Sequence, residues 1–119
     1  MKIDNRAVGQ MAENMAEQSL MQKGYQILER KFANRFGEID IIAKDKDVLV
    51  FVEVKAKKGV LFGLPEEMIN FSKLQRVKNM ATIYMKGQQL TCRIDVVAVV
   101  LTEEGSLIRL THYENVYYI

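Results

Sequence analysis

The sequence contains few of the residues from which many catalytic and metal sites are built. Among 119 residues there is one cysteine, Cys92, and one histidine, His112. A single cysteine excludes an internal disulfide and a cysteine-based zinc site, and a single histidine excludes a multi-histidine metal site. A Ser-His-Asp or Cys-His enzyme would have to be built on His112 alone. Carboxylates are therefore the main chemistry-bearing groups that remain.

Long hydrophobic runs are also missing. The longest uninterrupted apolar run, residues 96–101, has six residues, whereas a membrane-spanning helix needs about 20. No basic segment followed by an apolar stretch opens the chain, so we expect no secretory signal, no membrane contact and a cytoplasmic protein. Hydrophobic residues make up 49% and charged residues 27%, which excludes disorder for most of the chain. The length predicts one domain over residues 1–119.

The net charge of +2 is too small to indicate a nucleic-acid-binding protein by itself. The positive residues nevertheless cluster in three groups. Any one group is most simply a solvated surface, but their positions beside the acidic residues described below favour a phosphate-facing surface. The groups are Arg30, Lys31 and Arg35; Lys55, Lys57 and Lys58; and Lys73, Arg76 and Lys78.

The hydrophobic pattern predicts the element order α-β-β-β-α-β-β and an α/β or α+β domain with a mixed sheet. A helix is expected over 5–22, capped by Asp4 or Asn5 and ended by Gly24. The region 65–86 is expected to form one kinked helix or two helices, with Pro65 in the first turn and a capping box opened by Ser72. The predicted strands are 25–32, 38–44, 48–56, 91–101 and 107–113, followed by an aromatic tail at 117–119.

The most unusual feature is a charged pair inside an apolar strand. Glu53 and Lys55 are two residues apart and so share a sheet face, and their neighbours predict a central strand. A buried charge there is costly unless it is paired or bound to a metal. If the preceding hairpin has an even turn, Asp40 shares that face, and a four-residue turn at 45–48 places Asp40 opposite Glu53.

Two adjacent carboxylates do not both ionise easily without a cation between them. Mg²⁺ prefers one or two carboxylates plus water, so Asp40, Glu53 and a divalent metal form a coherent set, and Lys55 can position a water. Glu13, at the edge of the first helix's apolar stripe, either joins this set or lies on a solvated face. For Glu17 we expect the solvated face. The alternative for the whole set is a structural Asp/Glu–Lys ion pair.

Motifs along most of the chain resemble the YraN family of bacterial proteins. They are Gly9-x-x-Ala12-Glu13-x-x-Ala16 with Gly24-Tyr25, Gly37-Glu38-Ile39-Asp40-Ile41-Ile42-Ala43, Phe51-Val52-Glu53-Val54-Lys55, Phe62-Gly63-x-Pro65 with Lys73, and Arg93-Ile94-Asp95-Val96-Val97. That family is similar to the restriction-endonuclease-like, or PD-(D/E)XK, nuclease superfamily, which includes archaeal Holliday-junction resolvases. The resemblance implies an α/β fold with an αβββαβ core and a central mixed sheet flanked by helices.

The resemblance also implies roles for individual residues. Asp40 resembles the metal-bridging aspartate, Glu53 the second ligand, and the backbone carbonyl of Val54 a third. Lys55 resembles the catalytic lysine, and Glu13 resembles the helix glutamate that completes metal binding in resolvases. The Pro-Asp start of the superfamily motif is Ile39-Asp40 here, which leaves the acid intact.

We therefore expect a nuclease dependent on Mg²⁺, with Mn²⁺ as a substitute, acting on DNA rather than RNA, with branched or structured DNA among the candidate substrates. The expected backbone-binding residues are Lys57, Lys58, Lys73 and Arg76. The alternatives are a non-catalytic nucleic-acid-binding module, a protein-interaction scaffold, and a relic polar network that only shapes the core. A homodimer is expected by analogy with the resolvases.

Other polar and aromatic residues have simpler interpretations. Arg93 and Asp95 alternate on one strand face and predict a structural ion pair or a contact with the helix; the alternative places Asp95 near the acidic site. Tyr84 is expected in the core, and His112 is expected to be structural or on the surface. The C-terminal tyrosines favour packing or an interface over base stacking: Tyr113, Tyr117 and Tyr118.

Overall fold

The computed structural model describes residues 3–59 and 70–118. Its elements are α1 (Asn5–Gln22), β1 (Gln26–Asn34), β2 (Gly37–Asp45), β3 (Val48–Lys58), α2 (Phe71–Met85), β4 (Cys92–Leu101) and β5 (Leu107–Tyr118). This order confirms the predicted α/β class and its αβββαβ core. Neither helix in the described residues is long and apolar enough to cross a membrane.

The five strands form one mixed sheet in the order β1-β2-β3-β4-β5. The first three form an antiparallel meander, β3 and β4 are parallel, and β5 returns antiparallel to β4. A parallel pair cannot be joined by a tight turn, so the chain crosses over between β3 and β4, and α2 lies on that crossover. The continuous apolar character of β3 and β4 follows from this central position.

Each face of the sheet is covered by one helix. On one side, Val8, Ala12, Ala16 and Leu20 of α1 pack against the sheet; on the other, Val77, Met80 and Ala81 of α2 do so. The sheet residues beneath α1 include Ile41, Ala43, Val50, Val52, Val97 and Val99. Those beneath α2 include Ile39, Ile42, Leu49, Phe51 and Ile94. Apolar residues in β3 alternate between these two cores, which fixes the strand in its central place.

Helix α1 begins and ends where the sequence predicts. Asp4 is the N-cap, and its Oδ1 accepts a hydrogen bond from Ala7 N at 2.7 Å. Beyond the C-cap at Lys23, Gly24 has φ of 91°, which a residue with a side chain adopts at a cost. The predicted bounds of 5–22 are confirmed.

Helix α2 begins differently from the prediction. Asn70 is its N-cap and accepts a hydrogen bond from Lys73 N at 2.9 Å, so Ser72 lies inside the first turn. The predicted capping box at Ser72 is therefore wrong, because the Asn70 amide already satisfies the free backbone donor. The helix ends at Lys86, in the left-handed conformation just before Gly87. The predictions for Pro65 and for a helix start at 65 lie outside the described residues.

Strand β5 is longer than the predicted 107–113 and runs to Tyr118. The pairing shifts between Val96–Tyr113 and Ile94–Tyr117, so β5 bulges there, and Asn115 has φ of 56°. Asp95 Oδ1 accepts a hydrogen bond from Asn115 N at 2.9 Å and holds the bulge. The bulge interrupts the alternation of side chains, which is why the strand appears to end early in the sequence.

The β2–β3 hairpin has the predicted register. Asp45 pairs with Val48, and the pairing continues to Ile41 and Val52. The ladder ends at that pair, one step before Asp40 and Glu53.

Candidate metal centre

Strands β1 and β2 are locally distorted beside Asp40. Pairing passes from Arg30–Ile41 to Phe32–Ile39, and Lys31 between them has φ of 55°. Ile39 and Ile41, two residues apart, pack in the cores on opposite faces of the sheet. In a regular strand they would share one face. The chain of β2 therefore rotates at Asp40.

The Asp40 carboxylate lies where the β2–β3 ladder ends. Its Oδ2 accepts a hydrogen bond from Val54 N at 2.7 Å, in place of a backbone carbonyl. Burial raises the pKa of Asp40 to about 7; the charge of Glu53 adds to this rise and the Val54 hydrogen bond opposes it. The hairpin register and the effect of the Glu53 charge on Asp40 both indicate that the two carboxylates lie near each other.

The Glu53 carboxylate is one of two charged or polar side chains in the described residues that are classed as buried. Its side chain is 6% exposed, and Oε1 lies 2.9 Å from the Lys73 ammonium of α2. Oε2 is also buried, and no described residue offers it a hydrogen bond. Lys73 therefore neutralises charge at Oε1 of this carboxylate, whereas Oε2 has no hydrogen-bond partner in the described residues.

Glu13 on α1 extends the acidic cluster. Its side chain is 12% exposed, and its buried Oε1 has no hydrogen-bond partner among the described residues; the nearest cation is Arg30 at 3.9 Å. Burial raises the pKa of Glu13, although Lys31 and Arg30 act in the opposite direction. Of the two alternatives for Glu13, the structure favours the site. Glu17 is not simply solvated, because Arg30 Nη1 donates to its Oε2 at 2.8 Å.

Two lysines share the site. Burial lowers the pKa of Lys55, and its hydrogen bond with Lys73 and the positive charge of Lys73 lower it further. Burial also acts to lower the pKa of Lys73, but the Lys55 hydrogen bond and the charge of Glu53 outweigh it and raise that pKa. Lys73 is thus the ammonium held against the carboxylates. Sequence reasoning placed it on the nucleic-acid backbone, and only the packing of α2 reveals this contact.

The residue types suit a divalent cation, but the ligand atoms of Glu13, Asp40 and Glu53 do not all lie within 4.8 Å of one another, so a metal would draw these side chains closer together. Glu13, Asp40 and Glu53 offer carboxylate oxygens, two of them buried without hydrogen bonds in the described part of the chain. Buried polar atoms are almost always paired, so the unbonded Glu53 oxygen points to a missing partner. The Glu13 oxygen has an ion-pair partner, Arg30 Nη2 at 3.9 Å, but no hydrogen bond. Oxygen ligands of this kind suit Mg²⁺, which is bound through one or two carboxylates and keeps several waters.

An open groove of about 680 Å³ leads to this cluster. Its walls are the N-terminal half of α1 and the end of β3, and it is lined by Glu13, Asp40, Val54, Lys55, Lys57 and Lys58 among others. Of the residues expected to bind a nucleic-acid backbone, Lys57 faces the groove, whereas Lys58 donates to Ile3 O at 2.6 Å. Arg76 is exposed on α2.

A second polar cluster surrounds Asp95. Its Oδ1 accepts from Arg93 Nε at 3.0 Å, which confirms the predicted ion pair, and its Oδ2 lies 2.8 Å from His112 Nε2. Arg93 Nη2 donates to Tyr25 Oη at 2.5 Å, and Tyr25 donates to Glu114 at 2.7 Å. The predicted structural role of His112 is confirmed. Ligand atoms of Asp95, His112 and Glu114 lie within 4.8 Å of one another, but these side chains already bond to protein groups.

The remaining aromatic predictions are simpler. Tyr84 packs edge-to-face on Phe32 and Phe51, which confirms its place in the core. Tyr113 pairs with Val96 in the ladder and is partly exposed. The side chains of Tyr117 and Tyr118 lie outside the described residues.

Comparison with known proteins identifies the relatives of this chain. Residues 12–99 match the model of a family described as "Uncharacterised protein family UPF0102". A UPF0102 protein of Dictyoglomus turgidum is 36% identical over 118 residues, covering 97% of this chain and all of that protein. Another, from Pelotomaculum thermopropionicum, is 42% identical over 115 residues, covering 94% and 96% of the two chains. The chain therefore belongs to the UPF0102 family, the YraN family whose motifs it carries.

Proposed function

We propose that this protein is a metal-dependent nuclease that hydrolyses phosphodiester bonds in DNA. The observation that carries the proposal is the pair of buried carboxylate oxygens without hydrogen bonds, on Glu13 and Glu53, near Asp40, whose pKa is raised by burial and by the charge of Glu53. The groove reaches Glu13 and Asp40, with Glu53 buried behind them, and is open to solvent along the lysines at the end of β3. Acids at the floor of a lysine-edged groove suit a metal together with an anionic polymer.

Glu13, Asp40 and Glu53 are the residues that would hold Mg²⁺, and the family resemblance adds the Val54 carbonyl. When bound, the ion supplies an acidified water and offsets charge on the phosphate. The Val54 N–H fixes one oxygen of Asp40 and so sets the direction of the other. Lys55 lines the groove beside Asp40, where its side chain can orient a water or stabilise charge on the phosphate.

Lys73 contributes in a different way. Its ammonium neutralises part of the acidic cluster from the α2 side, 2.9 Å from Glu53 Oε1. This contact stabilises the cluster before a metal arrives, since otherwise three acids would face one another without a cation. It also keeps a positive charge next to Lys55.

The test is a cleavage assay with Mg²⁺ or Mn²⁺ on a panel of single-stranded, duplex, flapped and four-way-junction DNA, with RNA alongside. Asp40→Asn is the inactive variant, because an amide oxygen can still accept the Val54 hydrogen bond while the charge is lost. Asp47→Asn is the matched control, since Asp47 is an exposed acid in the β2–β3 turn. Each protein is purified identically, and binding of Mg²⁺ and Mn²⁺ is measured by calorimetry.

Cleavage by wild type and Asp47→Asn, lost in Asp40→Asn together with metal binding, would support the nuclease. Equal cleavage by all three proteins would identify a contaminating enzyme and count against the proposal. A wild type that binds neither metal would overturn the metal centre itself.

One observation favours a second candidate, a nucleic-acid-binding module without turnover. The Lys73 ammonium already compensates Glu53, as expected if the acids form a network that needs no metal. In that case DNA binding would weaken steeply with salt but would not depend on Mg²⁺. A protein-interaction scaffold would show little of this salt dependence.

A further inference from the structure

Gly9 occupies an unusual position in α1. It lies inside the helix, where glycine is less stable than alanine by about 1 kcal/mol. A Cβ built on Gly9 would meet no described atom within 4 Å. Gly24, Gly37 and Gly105 differ, since each has a positive φ. Neither backbone geometry nor packing within the described residues therefore requires glycine here.

Gly9 separates two depressions. One is the groove of about 680 Å³ that contains Asp40 and Lys55, and the other, of about 500 Å³, contains Gln10 and Lys31. Both depressions are bordered by Asn5, Gly9 and Glu13, which are four residues apart and so form one ridge along the helix. Because Gly9 has no side chain, the ridge is lowest at this residue.

Each side of the ridge carries cations together with acids: Glu13, Asp40 and Glu103 line the groove, and Asp4 and Glu13 line the second depression. Lys55 and Lys57 line the groove beyond it, and Arg6 and Lys31 line the second depression. Lys31 reaches α1 because its φ is 55°, and its Nζ donates to Gln10 Oε1 at 2.9 Å. Glu13, whose buried Oε1 has no hydrogen-bond partner among the described residues, lies one turn from Gly9. A continuous path thus runs from one pair of cations, past the acids, to the other pair.

We propose that Gly9 is the point at which a DNA strand crosses α1, with its phosphates between Lys57 on one side and Lys31 on the other. This proposal rests on the proposed function, because it takes DNA as the ligand of the groove. A polyanionic strand fits both sides, and its sugar-phosphate backbone needs the space that a side chain at residue 9 would fill. Glycine at this residue makes the helix less stable than alanine would, but it leaves space for the strand to cross.

The experiment compares three variants with wild type by thermal unfolding, calorimetric Mg²⁺ binding, and fluorescence anisotropy with labelled single-stranded and four-way-junction DNA in EDTA. Gly9→Ala adds one methyl group to the ridge, and Gly9→Gln adds a longer uncharged side chain. Ser19→Ala is the matched control, since it raises helix propensity in α1 near the other end of the helix.

We expect Gly9→Ala to raise Tm by about 2 to 4 °C while weakening DNA binding. Gly9→Gln should weaken DNA binding about tenfold, and both variants should bind Mg²⁺ as wild type does. Ser19→Ala should raise Tm slightly and leave DNA affinity unchanged. Gly9→Ala would then raise Tm and lower DNA affinity, whereas Ser19→Ala would raise Tm without a change in DNA affinity.

Wild-type affinity for DNA in Gly9→Gln would overturn the crossing point while leaving the proposed function intact. A fall in Tm for Gly9→Ala would also overturn it, because the chain itself would then need the space. If wild type bound no DNA in either form, the proposed function would fail, and the crossing point would fail with it.

Discussion

Two clusters of buried charge lie in this small sheet, and they differ in how completely they are paired. In the Asp95 cluster both carboxylate oxygens accept hydrogen bonds, and Arg93, His112 and Asn115 donate or lie at bonding distance. In the acidic cluster of Glu13, Asp40 and Glu53, two oxygens are buried without hydrogen-bond partners in the described residues. Their sequences look alike, since each is an acid and a base two residues apart on an apolar strand.

The difference also appears in proton affinity. Burial alone would raise the pKa of Asp95, but its bonds to His112, Asn115 and Arg93 outweigh burial and lower that pKa. The pKa of Asp40 rises because burial and Glu53 outweigh its single backbone hydrogen bond. A buried charge whose oxygens all accept hydrogen bonds is part of a stable network. A buried charge with an oxygen that accepts none can still gain a bond from a ligand. The comparison predicts opposite responses when each acid is removed.

The largest effect is expected at the satisfied cluster. Asp95→Ala removes the partner of Arg93 and His112 and the acceptor that holds the β5 bulge. The free energy of unfolding should fall by about 3 to 5 kcal/mol, the usual result of breaking a buried pair. Urea denaturation measures this, with Asp47→Ala as the exposed control. If the free energy of unfolding fell by less than about 1 kcal/mol, the hydrogen bonds of Asp95 would not stabilise the fold, and the proposed difference between the two clusters would be wrong.

At the unsatisfied cluster, Asp40→Asn should stabilise the metal-free protein at pH 8. The folded-state pKa of about 7 lies above the ordinary 3.8. Protonation therefore favours folding, and the contribution of Asp40 is present at pH 4 and is lost as pH rises towards 7. The amide mimics the protonated acid, so the gain should be about 2 kcal/mol at pH 8 and vanish near pH 4. Chemical denaturation in EDTA at both pH values tests this, and destabilisation at pH 8 would contradict it.

Lys73→Gln tests the acidic cluster from the other direction, because it removes the ammonium that lies 2.9 Å from Glu53 Oε1. The metal-free protein should lose about 1 to 3 kcal/mol, since the buried carboxylate is left with one fewer charged partner. If metal and Lys73 share Glu53, Mg²⁺ affinity should rise about tenfold by linkage. Calorimetry and denaturation in EDTA measure the two effects, with the exposed Lys44→Gln as control. Weaker Mg²⁺ binding would show instead that Lys73 supports the metal.

The smallest effect is expected at the rim of the satisfied cluster. Glu114 is 56% exposed, and its Oε1 accepts from Tyr25 and lies 3.3 Å from Arg93. Glu114→Gln keeps an acceptor, so stability should change by about 0 to 1 kcal/mol. Addition of EDTA or Mg²⁺ should not alter that difference in Tm. A metal-dependent difference would assign Asp95, His112 and Glu114 to a second metal site.

Much of the fold follows from local patterns. The apolar stripe and its cap predict α1 at its observed bounds, and the register of the β2–β3 hairpin follows from its turn. The parity of a hairpin is a local property, so the approach of Asp40 to Glu53 could be predicted before the structure was known. The Arg93–Asp95 pair could be predicted for the same reason, since residues two apart on a strand share one face.

Other features depend on contacts between distant parts of the chain. The start of α2 was misplaced because Ser72 and Asn70 are both good caps, and local sequence does not decide between them. The length of β5 was underestimated because its bulge is held by Asp95 of the neighbouring strand. The contact of Lys73 with Glu53 joins a helix to a strand, and no periodicity in either segment encodes it.

The sequence by itself determined the elements, the order of the strands along the chain and the acids of the candidate centre, because these depend on periodicity and on neighbours within a hairpin. Only the tertiary structure decided which buried charges are paired. Pairing depends on where α1 and α2 lie on the sheet and on the rotation of β2 at Asp40. Those positions set the cost of burying each charge, and that cost distinguishes the hydrogen-bonded cluster around Asp95 from the acidic cluster, which keeps oxygens without hydrogen bonds.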